Sequence, residues 1–428
     1  MKDSLAKALD AVSQLGAVEQ MRALAAEGLA PADQPKTNTH VHLPPNFSAF
    51  ESVQQVVDLA ADQGVGVLGV SNYYDFGVYS DFVALARQRG IFPLFGLEVI
   101  TLIDDLVRSG VLVNDPNNPG RAYLCGKGIT RFAEMSDEAA RLMGVIRDSD
   151  RRRMAEMTAK VRTIFDRAGV TTGLDADTVV ENIVTRHRCR PDAVTIQERH
   201  IAQAFQEALF AAVPAEKRRE ALAAILATQP KDAADPVKVQ GDIRTHLMKS
   251  GKPAFVPESF LDFEDGYRLI LELGGIPSYP TLADGASPIC EYERPVEKLI
   301  DNLQSLGVHC VELIPIRNEP DVLSHYVKAM RAAGLVVTAG TEHNTLDLLG
   351  IEPTCVGRKG VPDDLKAIFW EGACVVAAHQ FLTLHGECGF VNNEGEPNDQ
   401  YATAQQRIEA LASLGAAVIE SYYRANIA

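Results

Sequence analysis

Apolar and polar positions alternate along the chain in a way that predicts a sheet covered by helices. Short apolar runs typical of buried strands occur at residues 37–42, 65–72, 92–100, 276–280, 310–314 and 335–340. Segments whose apolar residues recur at helical spacing separate these runs, at residues 50–62, 79–89, 260–273, 296–306 and 321–333. Six strands that alternate with helices favour a (β/α) barrel. A doubly wound sheet is the alternative, although the glycine-rich phosphate loop usual after its first strand does not occur here.

Segments that lack this alternation of strands and helices divide the chain into three parts. Residues 1–34 predict short N-terminal helices followed by a proline-containing linker. Residues 113–254 begin near the turn-rich NDPNNPG and continue as an Ala- and Arg-rich segment with helical spacing, which predicts an all-helical insertion. Residues 35–112 and 255–428 are therefore expected to form the barrel with its C-terminal helices.

Composition limits the partners and the compartment. Of 428 residues, 46% are hydrophobic and 23% charged, which is typical of a soluble protein with a sizeable core. The net charge of −16 disfavours duplex nucleic acid and anionic membranes as partners. Seven scattered cysteines without a C-x-x-C motif, and a first helix without a signal-type apolar run, predict a cytoplasmic protein. We expect a small-molecule substrate, and the helical insertion offers a contact surface for a homo-oligomer.

The sharpest chemical feature is a pair of histidines at the end of the first predicted strand. His40 and His42 are two residues apart, so their imidazoles point to the same side of an extended strand. At the carboxyl end of a barrel strand, where active sites are built, such a pair can hold a metal ion. Glu98 is a lone carboxylate in the third apolar run, and burying it is costly unless it is paired or metal-bound. Gly96 beside it would allow another group to approach closely.

Polar side chains also mark the later predicted strands. Tyr279 lies near the end of the fourth strand, and Glu312 lies inside the fifth, which Arg317 follows. Glu342 and His343 come directly after the sixth. Because the carboxyl ends of parallel barrel strands meet at one mouth, this placement predicts an active site there.

These motifs together resemble the polymerase-and-histidinol-phosphatase (PHP) superfamily of metal-dependent hydrolases. The H-x-H of His40 and His42, the G-x-E that ends at Glu98, and a late acid–histidine box carry the likeness over about residues 36–105 and 255–350. The resemblance implies a distorted (β/α)7 TIM-like barrel and, for most members, phosphoesterase chemistry. By position, His40, His42 and Glu98 would be metal ligands, and Glu312 would be a structural or site-lining acid.

The sequence departs from the family's pattern in three boxes. Ser71-Asn72-Tyr73 stands where the family has Asp-His, and Ser278-Tyr279-Pro280 stands where it has Ala-His-Pro. In the last box, Glu342 and His343 are adjacent rather than separated by one residue. We therefore interpret Tyr73 and Tyr279 as substrate-binding groups, since a neutral phenol is a poor metal ligand beside an imidazole.

The remaining ligand set predicts one divalent ion, Zn²⁺ or Mn²⁺. His40, His42 and Glu98 supply three ligands, and one of Glu342 or His343 would supply a fourth. A one-residue shift exchanges Glu342 and His343, so the sequence leaves open which of them faces the site. This set does not suffice for the multi-metal cluster of a typical phosphatase.

The resulting hypothesis is metal-assisted hydrolysis of a small anionic substrate, most simply a phosphate ester. A metal-bound water would attack, Glu342 or His343 would take or relay its proton, and Arg317 would bind the substrate anion. A uronate-isomerase-like sugar-acid isomerase is the first alternative, in which Tyr73, Tyr279 and Arg317 would hold a polyhydroxy acid. A degenerate barrel that only binds a ligand is the second.

The arginine-rich insertion has two interpretations. Its charge runs are typical of solvated helix faces or subunit contacts. Alternatively the insertion forms a lid that supplies cations to an anionic substrate, with Arg199 and His200 as candidates.

Overall fold

A nearly closed, barrel-like sheet forms the centre of the fold, as the sequence predicts. The computed structural model of the protein describes residues 2–257, 260–345 and 347–427. The strands of the main sheet, in chain order, are β1 Lys36–Val41, β2 Val65–Val70, β3 Phe92–Leu102, β4 Arg121–Lys127, β5 Leu261–Asp262, β6 Ile276–Thr281, β7 Cys310–Leu313 and β8 Val336–Ala339. They are hydrogen-bonded in the order β1-β2-β3-β4-β6-β7-β8, and the short β5 pairs with β3. The prediction of a TIM-like barrel is thus confirmed.

The barrel closes where the chain leaving β8 meets the end of β1. The backbone N–H groups of Thr341 and Glu342 donate to the carbonyl of His40, at 3.1 and 2.9 Å, and the N–H of His42 donates to the carbonyl of Glu342 at 2.9 Å. Gly340 makes this approach feasible, because a Cβ there would lie 2.3 Å from the Cβ of His40. Closure therefore places the histidine pair beside the segment that carries Glu342.

One strand differs from the sequence expectation. β4 lies within residues 113–254, which the sequence predicts as all-helical, and it pairs antiparallel with both β3 and β6. Its run RAYLCGK is short and has a cation at each end, so it lacks the continuous apolar signature of a buried parallel strand. The helical part of the insertion consequently begins only after β4, and β4 contributes a wall of the barrel.

Helices cover the barrel and build the insertion. Around the barrel they are α1 Lys2–Ser13, α2 Val18–Ala26, α3 Val53–Asp62, α4 Tyr79–Gln88, α5 Asp104–Ser109, α11 Phe263–Glu272, α12 Val296–Ser305, α13 Pro320–Ala332, α14 Asp363–Leu384 and α15 Ala404–Ile427. The insertion contains α6 Asp137–Arg167, α7 Ala176–His187, α8 Glu198–Ala212, α9 Arg218–Leu226 and α10 Pro236–Ile243, which runs into a π-helical turn at Arg244–Met248. A small antiparallel hairpin, Thr354–Cys355 with Lys359–Gly360, lies apart from the main sheet.

The insertion has a hydrophobic core of its own. Its buried apolar side chains, from Met154 to Val256, form a cluster separate from the two clusters of the barrel. The N-terminal half of α6 still packs on the barrel, since Leu142 and Ile146 belong to the barrel cluster. The insertion is therefore a compact unit seated against the barrel rather than an extended loop.

Helix α14 is a core helix. It includes residues 373–384, an apolar run whose periodicity alone does not distinguish a buried helix from a strand. Among the helices of the described chain it is the one long and apolar enough to cross a membrane, and 67% of its apolar window is buried inside the fold. Gly415 of α15 allows close packing on it, since a Cβ there would lie 1.8 Å from the carbonyl oxygen of Cys374.

Candidate functional site

Three predicted ligands meet at the mouth of the barrel. The Nε2 atoms of His40 and His42 are 3.3 Å apart, and Oε2 of Glu98 lies 3.0 Å from Nε2 of His42 and 3.7 Å from Nε2 of His40. All three side chains are buried. Gly96 fits tightly here, because a Cβ on it would lie 2.7 Å from Oγ of Ser71. Side chains from β1, its C-terminal extension and β3 thus present two nitrogens and one oxygen to a common point.

This group has the properties of a metal centre. Oε2 of Glu98 has no hydrogen-bond partner within the described structure, although it is buried. An unsatisfied buried carboxylate oxygen is costly, and a cation bound between it and two imidazole nitrogens would remove that cost. Burial disfavours the charged form of Glu98, but the neighbouring His42 and His40 outweigh it and lower its pKa. A His₂Glu donor set is one that zinc uses in hydrolytic sites.

A buried ion pair holds His40 from behind. Oε2 of Glu312 lies 2.6 Å from Nδ1 of His40, while Oε1 lies 2.5 Å from Nζ of Lys127 and accepts a hydrogen bond from Oγ1 of Thr39 at 2.7 Å. With Nδ1 donating its proton to Glu312, Nε2 of His40 presents its lone pair to the ligand cluster. Glu312 is therefore an orienting group for His40.

The charges of this pair depend on one another. Burial would raise the pKa of Glu312, but Lys127 and His40 outweigh that effect and lower it to about 2. Burial likewise disfavours the charged form of Lys127, and Glu312 more than compensates, so the pKa of Lys127 rises. The barrel interior thus contains a carboxylate and an ammonium that are each stable because the other is present.

Lys127 is a residue of this buried network that sequence reasoning did not predict. It is fully buried and also donates to the carbonyl of Thr39 at 3.0 Å. A lysine at the end of a short strand reads as a surface residue, because long charged side chains are seldom fully buried. The one usable signal is its position between Gly126 and Gly128, directly after the apolar run AYLC.

A second set of possible ligand atoms lies beside this pair. His40, Cys125 and Glu312 also bring one donor each within 4.8 Å of one another. Nζ of Lys127 already provides Glu312 with a positive charge, and burial raises the pKa of the Cys125 thiol. A neutral thiol beside a neutralised carboxylate is a poor ligand set, so we assign no ion there.

Of the two candidates after β8, Glu342 faces the site. Its carboxylate accepts hydrogen bonds from both terminal nitrogens of Arg317, one at 2.9 Å, and from Nδ2 of Asn344 at 2.8 Å. Glu342, Arg317 and Glu98 line the same cavity of about 370 Å³. Arg317 therefore reaches the predicted location but binds Glu342 there.

His343 differs from the sequence expectation of a metal ligand or proton relay. Its Nδ1 lies 2.8 Å from Oγ1 of Thr341, and its Nε2 lies 3.0 Å from the carbonyl oxygen of Leu349. Glu342 and His343 both adopt left-handed backbone conformations, with φ of 59° and 57°. That turn directs Glu342 into the cavity and His343 toward the following loop, so the structure does not bring His343 to the ligand cluster.

Of the two predicted substrate-binding tyrosines, Tyr73 lines the cavity and Tyr279 does not. The ring of Tyr73 stacks on His42 with centroids 5.0 Å apart and lines the cavity. Tyr279 lies on the other side of β6, where its hydroxyl donates to Oε1 of Glu293 at 3.0 Å. Successive strand residues face opposite sides, so Ser278 points inward and Tyr279 packs under the helices. The structure does not place Tyr279 at the site.

Glu293 provides a test of this buried contact. It accepts hydrogen bonds from the backbone N–H groups of Leu282 and Ala283 and from Tyr279, and burial raises its pKa from 4.5 to about 7. A carboxyl group with a raised folded-state pKa stabilises the fold while protonated, so its contribution is complete below about pH 4.5 and is lost as the pH rises through 7. We expect Glu293→Gln to flatten that decline, which is of the order of 3 kcal/mol.

Urea unfolding of wild type and Glu293→Gln between pH 5 and 8 checks this expectation. Glu264→Gln serves as a control, since Glu264 is exposed on α11. Parallel stability curves for wild type and Glu293→Gln would show that Glu293 does not titrate in this range.

Comparison with known proteins bears on the fold. No protein-family model and no curated protein matches the chain. Among solved structures, an amidohydrolase from Chromobacterium violaceum with bound sulfate and no metal is similar, with a TM-score of 0.50, 18% identity, and coverage of 78% of this chain and 96% of that one. A protein described as a metal-dependent phosphoesterase from Bifidobacterium adolescentis has a TM-score of 0.48 at 15% identity, covering 79% and 96%. At such identities the first likeness shows a shared barrel fold.

Proposed function

We propose that the protein is a metal-dependent hydrolase that acts on a small anionic substrate, most simply a phosphate ester. The observation that carries the proposal is the convergence of His40, His42 and Glu98 at the barrel mouth, with an unsatisfied buried carboxylate oxygen among them. The H-x-H and G-x-E motifs that supply these side chains also support our proposal that the chain is a divergent member of the PHP superfamily. A cytoplasmic location, and contacts between copies through the insertion, remain predictions from composition.

One divalent ion, Zn²⁺ or Mn²⁺, fits the three ligands. Such an ion acts as a Lewis acid and lowers the pKa of water toward neutrality. The chain's own residues do the rest of the work that we propose. Glu312 fixes the proton of His40 on Nδ1, and Tyr73 forms a wall against His42.

Glu342 is our candidate for the proton acceptor. It is the carboxylate after β8 that lines the cavity with Glu98, and Arg317 holds its orientation through two hydrogen bonds. A base positioned by a second group is the usual arrangement for general base catalysis. Arg317 would bind the anionic group of the substrate from the same place, since its guanidinium lies on the cavity wall.

Elemental analysis and a substrate panel test the proposal. We expect protein purified without chelator to contain about one equivalent of Zn²⁺ or Mn²⁺, as a single three-ligand catalytic site would hold, and His40→Ala to contain much less. Phosphate esters, amides and sugar acids should be assayed in parallel, with phosphate release expected. Full activity in metal-free protein would contradict the proposal.

Two other outcomes would select the alternatives. Isomer formation from sugar acids without phosphate release would favour an isomerase. Weak metal binding with no turnover on any compound would favour a barrel that only binds a ligand.

A further inference from the structure

The insertion contributes a group of cations to the mouth of the barrel. Arg199 lies near the start of α8, and Arg244 and Lys249 lie at the two ends of the π-helical turn that follows α10. We call these three residues the cationic wall. All three line the cavity that contains Glu98, Arg317 and Glu342, and also a smaller neighbouring cavity of about 120 Å³. A π-helical segment is rare and occurs frequently at functional sites.

The cations around this wall outnumber the carboxylates. Glu198 lies 2.7 Å from Nζ of Lys249, 2.9 Å from a terminal nitrogen of Arg153 and 3.7 Å from a terminal nitrogen of Arg244. Asp150 is the second carboxylate that lines the smaller cavity. Arg121 lines it too, but it forms an ion pair with Asp115, so this pair adds no net charge. Around the smaller cavity, four cations, with Arg199 included, therefore face two carboxylates, which leaves an excess of two positive charges there.

Arg199 carries most of this excess. In the part of the chain that the structure describes, its guanidinium makes no hydrogen bond or ion pair, and it lies 6.0 Å from the ring centre of Phe47. Burial and the nearby charge of Arg244 lower the pKa of Arg199 to about 10. Like charges held together in a partly buried place repel one another, and a bound anion relieves that repulsion.

We propose that the cationic wall is a binding site for a second anionic group of the substrate, a phosphate dianion. This proposal rests on the proposed function and deepens it: the substrate is a small bis-anionic compound, whose ester group lies at His40, His42 and Glu98 while its distal phosphate lies at Arg199. Two excess charges match a dianion, and guanidinium groups match phosphate oxygens with paired hydrogen bonds.

The opposite wall of the cavity suits the middle of such a compound. Asn117, Asn118 and Tyr123 line it before and within β4, next to Asn114, whose amide is hydrogen-bonded to backbone groups of Tyr123 and Pro280. Amide and phenol groups donate and accept hydrogen bonds without adding charge. A polar, hydroxylated linker between the two anionic groups would be accommodated there.

Binding measured without catalysis tests the wall separately from the proposed function. We would titrate chelator-treated protein with a series of α,ω-alkanediol bisphosphates of increasing length and with the matching alkyl monophosphates, by calorimetry. We expect the best bisphosphate to bind at least about tenfold more tightly than its monophosphate, the equivalent of one charge-assisted hydrogen bond. Arg199→Gln should weaken bisphosphate binding by about tenfold or more, and Arg199→Lys should retain part of that affinity.

Arg219→Gln is the matched control, because Arg219 is an exposed arginine on α9 of the same insertion. Thermal unfolding of each variant establishes that it is folded, and among the described residues Arg199 has no ion-pair partner whose loss would destabilise the insertion. Equal affinities for bisphosphates and monophosphates, or an Arg199→Gln variant that behaves as Arg219→Gln does, would overturn the proposal. A selective loss in Arg199→Gln would support it even if metal analysis ruled out the hydrolase.

Discussion

Replacing Lys127 with methionine is expected to lower the free energy of unfolding by about 3–5 kcal/mol, among the largest effects of any single change in this barrel. The substitution leaves the buried carboxylate of Glu312 without its ammonium partner 2.5 Å away, in a place without solvent. Methionine has a similar length and is apolar, so the variant removes the charge with little change in packing. Urea unfolding monitored by circular dichroism measures the difference.

A double variant separates the effect of the unpaired charge on Glu312 from the effect of the changed side-chain volume at position 127. Lys127→Met combined with Glu312→Gln removes both charges, so we expect it to recover most of the lost stability. The glutamine oxygen can still accept a hydrogen bond from Nδ1 of His40, so the orientation of that imidazole should be retained in the double variant. A single variant within about 1 kcal/mol of wild type would show that the Lys127–Glu312 pair is not buried as described, because an unpaired buried charge is far more costly.

Replacing Glu98 with glutamine is expected to remove metal binding while the fold survives. The amide keeps the shape of the side chain but lacks the negative charge that faces the two imidazoles. Changes to groups behind metal ligands already weaken binding by about 10–100-fold, so the loss of a ligand should exceed about 100-fold. The proposed hydrolytic activity should fall by about 10²–10³, which is the loss seen when one key group for the transition state is removed.

The measurements are competition with a chromophoric chelator and an unfolding curve. Glu297→Gln, an exposed change on α12, is the control for loss of a surface charge. Because His42 and His40 stabilise the carboxylate of Glu98 and lower its pKa, metal-free Glu98→Gln should be less stable than metal-free wild type at neutral pH while still folded. Unchanged metal affinity would remove Glu98 from the ligand set.

The sequence predicts most of the barrel and the centre of its site for identifiable reasons. β1, β2 and β3 are recognisable because apolar runs with short turns leave few alternatives, and they position His40, His42 and Glu98 at one mouth. The side-chain period of two in a strand was enough to place His40 and His42 on one side. These features are local, so a linear pattern contains them.

The parts that sequence could not provide depend on contacts between distant segments. The sequence alone predicts Lys127 as a surface lysine. The pairing of β4 with β3 and β6 instead places Lys127 opposite Glu312 inside the barrel. Tyr279 faces Glu293 because of one strand's orientation. Whether Glu342 or His343 faced the cavity depended on two left-handed residues in a turn, and both are non-glycine residues with no sequence signal for that conformation.

The position of the insertion has a consequence for synthesis of the chain on the ribosome. β4 ends at Lys127, and β6, the second strand that pairs with it, begins at Ile276. One edge of the incomplete sheet therefore stays unpaired until the whole insertion has been translated. Unpaired strand edges are templates for association between nascent chains. The separate core of the insertion lets that segment fold by itself during the wait, and once it has folded it brings its two ends, and hence the two halves of the barrel, within reach of each other. The candidate site can therefore assemble only after the entire insertion and β8 have been translated, because Glu342 follows β8.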